Sequence, residues 1–275
     1  MLPMDWNTAI RYARLVQIAE GVAPTADYGP AEIASVQAIG YKFVQQLYGD
    51  DLATEVDPHV GDLVSFGFLA ISPAKEIVAA IRGTDTILEW IHDAAFLMVP
   101  SLIAGTHGFT EDGFTAVYRS LRIGRPNGSM SAKDSIQSYL HTGDASTVTV
   151  CGHSLGAALA TFLTVDVALN TSCRTPVGYT YASPRTGDPT FAACYNAAVP
   201  ASYRIANRQD LVPQLPPILP LPYEHVNTLY ELVPGWNQVQ PTIPCMHHLT
   251  TYLFLMAKLA GAAGFPLTPE CVVPV

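Results

Sequence analysis

The chain has 275 residues, 49% hydrophobic and 13% charged, with 14 Lys and Arg against 23 Asp and Glu and a net charge of −9. High hydrophobicity excludes intrinsic disorder, and the acidic balance excludes a nucleic-acid binder that works through a basic surface. An anionic membrane surface is disfavoured for the same reason, but a neutral lipid or ester interface is not.

Asp166 breaks the apolar stretch from Val150 to Leu169 and Lys258 breaks the one near the C-terminus, so no spanning helix is expected. The opening MLPMDWNTAIRYARLVQIAEG begins with an acid and spaces its apolar residues helically, unlike a secretory signal. The expectation is a cytoplasmic chain or a mature secreted form. Five cysteines (Cys151, Cys173, Cys194, Cys245, Cys271) at wide spacing predict free buried thiols, with one or two disulfides open to a secreted form. Cys245, His247 and His248 lack a fourth ligand at a zinc spacing, so no metal is expected.

In chain order, Trp6 to Glu20 reads as an amphipathic helix, with Trp6, Ala9, Ile10, Ala13 and Val16 on one side. The spacing of Ile33, Val36, Phe43, Val44 and Leu47 predicts a second helix from Ala31 to Tyr48, making residues 1–60 a helical segment. Leu63 to Ile71 and Glu76 to Ile81 read as a hairpin across Ser72-Pro73-Ala74-Lys75. Helices follow near Glu111 to Arg122 and Ala132 to His141, then a strand from Thr147 to Cys151 and a helix to Leu169. The alternation continues with strand Val177 to Ala182, helix Thr190 to Ala198 and strand Ser202 to Ala206. This pattern predicts one α/β domain over residues 1–275, a mostly parallel sheet with helices on both faces. Pro213 to Pro222 reads as a shaped loop, because strand-like sequence resumes after it.

The sharpest motif is Gly152-His153-Ser154-Leu155-Gly156. The bare G-x-S-x-G pattern arises by chance in roughly one chain of this size in ten. Here a β-branched strand precedes it and a small-residue helix follows, the context of a nucleophile elbow. That turn exposes the Ser154 hydroxyl and aims the Leu155 N–H at the same spot. Serine needs a histidine base and an orienting carboxylate, in the order Ser, Asp or Glu, His. This order leaves His225, His247 and His248 as bases. Asp166 lies roughly 18 Å along the helix leaving the elbow and is too far. Asp188 and Asp210 both follow strands, and Glu224 and Glu231 stay open. A strand-end Cys151 is expected to be buried and un-ionised rather than nucleophilic.

Several ordered motifs resemble one family. GHSLG, Ile81-Arg82-Gly83-Thr84, Thr106-His107-Gly108-Phe109, the run Tyr181 to Gly187, YRIANRQDLVPQLPP, Tyr223-Glu224-His225-Val226 and His248-Leu249 together look like the class 3 lipases. The resemblance covers about residues 60 to 255. It implies an α/β-hydrolase fold and a Ser154–Asp210–His248 triad, the histidine chosen because His248-Leu249-Thr250-Thr251-Tyr252 fits the family pattern better than His247 does. It also implies an oxyanion hole from the N–H groups of Leu155 and Thr84, with Arg82 anchoring the turn. A lid is implied at 85–96, where Ile87, Leu88, Trp90 and Ile91 form an amphipathic stretch expected to make an apolar patch beside Ser154. Residues 95 to 105 read as core or as an acyl-chain wall. The expected activity is cofactor-free hydrolysis of acylglycerols or similar apolar esters, at a lipid–water interface where the lid responds to one. Phospholipase A1 or feruloyl-type esterase chemistry uses the same triad, and a non-catalytic lipid-binding protein on this fold is the contrasting class.

Overall fold

The computed structural model describes residues 3–50, 63–84, 96–124 and 130–274. The chain begins with α1 (Trp6–Glu20), α2 (Pro30–Ala38), β1 (Lys42–Asp50), β2 (Leu63–Ile71) and β3 (Glu76–Ile81). A small ribbon, β4 (Met98–Pro100) and β5 (Phe109–Glu111), leads to α3 (Asp112–Ser120), β6 (Arg122–Ile123), β7 (Met130–Ser131) and α4 (Ala132–Thr142). Then come β8 (Thr147–His153), α5 (Leu155–Asn170), β9 (Val177–Tyr181), α6 (Pro189–Ala198) and β10 (Ser202–Asn207). The chain closes with β11 (Leu229–Leu232), α7 (Ile243–His247) and α8 (Leu249–Ala260).

The main sheet has the order β11-β10-β9-β8-β3-β2-β1-β6-β7, in which β2 and β6 run against all the others. Strands β3, β8, β9, β10 and β11 are parallel neighbours. Such strands are buried on both faces, and side-chain alternation divides them between two cores. Ile77, Ala79, Ile81, Val148 and Val150 pack with Phe114, Ile136, Leu159 and Phe191 from α3 to α6. Val78, Ala80, Cys151, Tyr179 and Tyr181 pack on the other face with Ala13 and Val16 of α1 and Tyr252 and Met256 of α8. Burying each such Ile, Leu or Val stabilises by about 1.5–3 kcal/mol. The low charged fraction has its explanation in this two-sided burial.

One expected element is corrected. The helix read from Ala31 to Tyr48 stops at Ala38, and Gly40 then adopts φ +97°, a left-handed turn that admits glycine at little cost. Lys42–Asp50 is instead strand β1, paired antiparallel with β2. Its register shifts between Phe43 and Gln45, a bulge that lets Val44 and Leu47 reach the same core although they lie three residues apart. That spacing imitates a helix.

The Pro-rich segment is a loop tied down by Arg185, which donates its N–H to the Leu215 carbonyl and Nη1 to that of Pro216, both at 2.7 Å. Cys245 and Cys271 form a disulfide, which also removes Cys245 from any metal-ligand set, and Cys151, Cys173 and Cys194 are free. Burial pushes the Cys151 thiol well up, so it stays un-ionised. The bridge closes a separation of 26 residues. A Cys245→Ser, Cys271→Ser double variant should lose about 3–4 kcal/mol in urea unfolding. A loss under about 0.5 kcal/mol would mean the bridge constrains nothing. Among the described residues, no helix is long and apolar enough to cross a membrane.

Candidate active site

Strand β8 ends at His153 and α5 begins at Leu155, so Ser154 occupies a single-residue turn. Its backbone lies at φ 59°, ψ −126°, a conformation that costs a non-glycine residue about 1–3 kcal/mol. The turn closes because its flanks are glycines. A Cβ on Gly152 would come within 2.1 Å of the Gly156 carbonyl oxygen, and one on Gly156 within 2.4 Å of the Ile81 and Arg82 carbonyl oxygens. The Ser154 N–H donates to the Tyr181 carbonyl at 3.0 Å, fastening the elbow to β9.

The side chains of Ser154, His247 and Asp210 meet above the ends of the parallel strands. Ser154 Oγ is 2.9 Å from His247 Nε2, and His247 Nδ1 is 2.9 and 3.1 Å from the two Asp210 carboxylate oxygens. Asp210 sits just past β10 and is almost fully buried. One of its oxygens accepts the Val212 N–H at 3.0 Å and the other the Tyr252 hydroxyl at 2.7 Å. With Nδ1–H donated to the carboxylate, Nε2 is the free acceptor for the serine proton. This is the connectivity of a serine-hydrolase proton relay.

The structure places His247 where the sequence reading put His248. Helix α7 ends at His247, and the backbone leaves it at His248 with φ −59° and ψ 135°. Neighbouring side chains therefore diverge: His247 is buried against Ser154, while His248 caps α8 by accepting the Thr250 N–H at 3.2 Å. His248 still lines the cleft rim. The other sequence candidates are engaged elsewhere. Asp188 caps α6, Glu231 pairs with Arg208, and Asp166 accepts from the Tyr118 hydroxyl at 2.6 Å. His225 lies 2.6 Å from the Pro213 carbonyl, and burial together with Arg204 lowers its pKa to about 3.

A cleft of about 430 Å³ opens at Ser154, with Gly83, Thr84, His153, His247 and Thr250 in its wall. Gly83 packs so closely that a Cβ there would lie 2.9 Å from Ser154 Cβ, which brings Thr84 to the reacting edge. Leu155 opens α5, so its N–H belongs to the first turn, which has no intrahelical acceptor. Buried Arg82 donates to the Gly83 carbonyl at 3.0 Å and to the Val22 carbonyl at 2.9 Å, tying this turn to the segment after α1.

The lid residues Ile87, Leu88, Trp90 and Ile91, and the apolar patch expected of them, lie outside the described residues. Beyond them, Leu97 and Leu102 are exposed and Ile103 enters the core. Residues 101–104 border a separate cavity of about 410 Å³ rather than the cleft. Among the described residues, no group of three or more His, Cys, Asp and Glu could hold a metal ion.

One pair in the site has no counterpart in the sequence reading. His153 Nδ1 lies 2.7 Å from Glu20 Oε1 at the end of α1, and its Nε2 lies 2.8 Å from the His247 carbonyl. Chain order rightly removes His153 from the candidate bases, and no local pattern marks Glu20, 133 residues away.

A family model described as Lipase (class 3) matches residues 78–219. Phospholipase A1-II 7 of Oryza sativa subsp. indica is 31% identical over 223 residues, covering 69% of this chain and 53% of that protein. Phospholipase A1-II 6 of Oryza sativa subsp. japonica is 32% identical over 225 residues, covering 71% and 54%. The chain thus spans about half the length of these relatives. Among solved structures, a nonglycosylated lipase of Yarrowia lipolytica superposes with TM-score 0.64 at 21% identity, covering 87% of this chain and 84% of that one. The Rhizomucor miehei triacylglyceride lipase gives 0.61 at 22% identity, covering 82% and 78%. These two neighbours share the α/β-hydrolase fold with this chain.

Proposed function

This chain belongs to the class 3 lipase family, and from that membership we propose that it is a serine carboxylic-ester hydrolase acting on apolar acyl esters. The observation that carries the reading is the continuous relay from Ser154 Oγ to His247 and Asp210, at 2.9 Å for each closest step. Ser154 Oγ attacks the ester carbonyl as its proton passes to His247 Nε2, and Asp210 stabilises the imidazolium. The N–H groups of Leu155 and Thr84 receive the developing oxyanion. Collapse breaks the ester C–O bond, and the alcohol leaves with the proton from His247. Water then attacks the acyl-enzyme by the same path, releasing the acid and restoring Ser154. None of these steps calls on a cofactor.

The names of the rice relatives favour a phospholipid sn-1 ester as one substrate class. The hydrogen-bonded relay weighs against the non-catalytic lipid-binding reading. The test combines p-nitrophenyl esters of graded chain length, a phosphatidylcholine with different acyl chains at its two positions, and an organophosphate inhibitor. Hydrolysis should occur, and inhibition should track one covalent adduct on the peptide carrying Ser154. Hydrolysis that survives full Ser154 modification, or an adduct elsewhere, would overturn the mechanism. Release of the sn-1 acid separates phospholipase A1 chemistry from lipase or esterase chemistry.

A further inference from the structure

The base sits at the end of a helix too short to hold itself. Helix α7 has five residues, and its final carbonyls have no partner within the helix. Three consecutive carbonyls there are met by side chains from elsewhere in the fold. Thr251 Oγ1 donates to the Cys245 carbonyl at 2.6 Å, Asn207 Nδ2 to that of Met246 at 2.9 Å, and His153 Nε2 to that of His247 at 2.8 Å. The last of these fixes the backbone of the residue whose ring must stay within reach of Ser154.

His153 contacts a carbonyl and a carboxyl group. One ring nitrogen faces the His247 carbonyl and the other the Glu20 carboxyl, so with Glu20 ionised both nitrogens carry hydrogen and the ring is an imidazolium. Glu20 supplies the countercharge. The His153 and His247 rings are 4.7 Å apart and tilted by 32°, so the cation lies against the base. Among the described residues, the charged and titratable groups facing His153 are Glu20 from α1, His247 from α7, His248 at the start of α8, Asp210 past β10, and Tyr252 of α8 at 5.9 Å. Burial works to lower the His153 pKa, but Glu20, the His247 carbonyl and Asp210 carry it above the ordinary value. Burial likewise works to raise the Glu20 pKa, and the surrounding histidines hold it below the usual carboxylate range.

We propose that Glu20 and His153 form a part-buried ion pair, its histidine enclosed and its carboxylate at the cleft edge, that positions His247 through its main-chain carbonyl, making α1 part of the site's support. Both are positioning residues, and the role rests on the ester-hydrolase reading. A charge-assisted bond is roughly twice as strong as a neutral one, so protonated His153 fixes the carbonyl better than a neutral ring would. Asp210 orients the His247 ring while His153 locates the backbone that carries it.

The test uses two variants of the full chain. His153→Phe keeps an aromatic ring beside His247 and removes the donor. It should lower kcat about ten- to hundredfold with KM within about threefold, as expected when a reacting group is misplaced. Glu20→Gln removes the countercharge, so the buried ring sheds its second proton at lower pH, and kcat should fall on the alkaline side of neutrality where the wild type holds its plateau. Independently of turnover, the two ring nitrogens of His153 should both show protonated-type 15N shifts at pH 7 in the wild type and lose one in Glu20→Gln. A folded His153→Phe with unchanged kcat and pH profile, or a singly protonated His153 in the wild type, would overturn the proposal. Absence of ester hydrolysis and of Ser154 labelling in the wild type would sink the hydrolase reading instead, with the 15N result still deciding whether the ion pair exists.

Discussion

His247→Ala should lower kcat toward a short p-nitrophenyl ester by at least about 10³-fold, whereas His248→Ala should leave it within about threefold. The difference follows from geometry. The His247 ring spans Ser154 Oγ and the Asp210 carboxylate, and alanine leaves no group able to take the serine proton. His248 meets Thr250 instead, so its removal costs α8 an N-terminal cap worth about 1 kcal/mol and leaves the relay intact. His248 lines the cleft, so a change in KM is compatible with this outcome. Comparable losses from both substitutions, or a larger loss from His248→Ala, would refute the assignment.

Gly152→Ala should prevent folding or destabilise the chain by about 4 kcal/mol or more, a loss reserved for severe overpacking. The added Cβ would sit 2.1 Å from the Gly156 carbonyl oxygen and 2.9 Å from the Ala157 nitrogen. Those are backbone atoms of the first turn of α5, which is held against the sheet and cannot rotate aside. Gly156→Ala should behave alike, because its Cβ would strike the Ile81 and Arg82 carbonyl oxygens at 2.4 Å. Gly21→Ala is the control: its backbone is right-handed helical at φ −72°, and the nearest atoms would lie at 3.5 and 3.6 Å. Soluble expression and thermal unfolding decide the matter. A Gly152→Ala protein melting within a degree or two of wild type would show that the elbow yields where the packing says it cannot.

Much of the fold is legible from local sequence because its determinants are local. The strand before Ser154, the small residues after it and the alternation of buried strands and amphipathic helices all act over a few residues. Ser154 and Thr84 line the cleft and Asp210 meets Ser154 through His247; these three each stand within three residues past a strand end, and Leu155 opens a helix. The choice between His247 and His248 is not local in this sense. It depends on the last helical residue of α7, and one residue of phase turns a side chain from Ser154 toward Thr250. The Lys42–Asp50 strand is obscured by its own bulge, which substitutes a three-residue spacing for simple alternation. Glu20 is invisible for another reason: it gains meaning only when α1 packs across the sheet beside β8.

The order β10-β9-β8 gives the site a ruler. Ser154 follows β8 and Asp210 follows β10, and one strand lies between them. Each strand spacing is about 4.8 Å, so the gap to be bridged is roughly 10 Å, set by backbone hydrogen bonds rather than by any side chain. A single imidazole with a bond at each end fills that gap, and β9 beneath it holds the Ser154 N–H through Tyr181. The spacing of the site is thereby inherited from the hydrogen-bonded sheet. Lengthening the acid by one methylene, as in Asp210→Glu, therefore adds reach on one side of a fixed span, and the surplus must be absorbed by displacing His247 from Ser154.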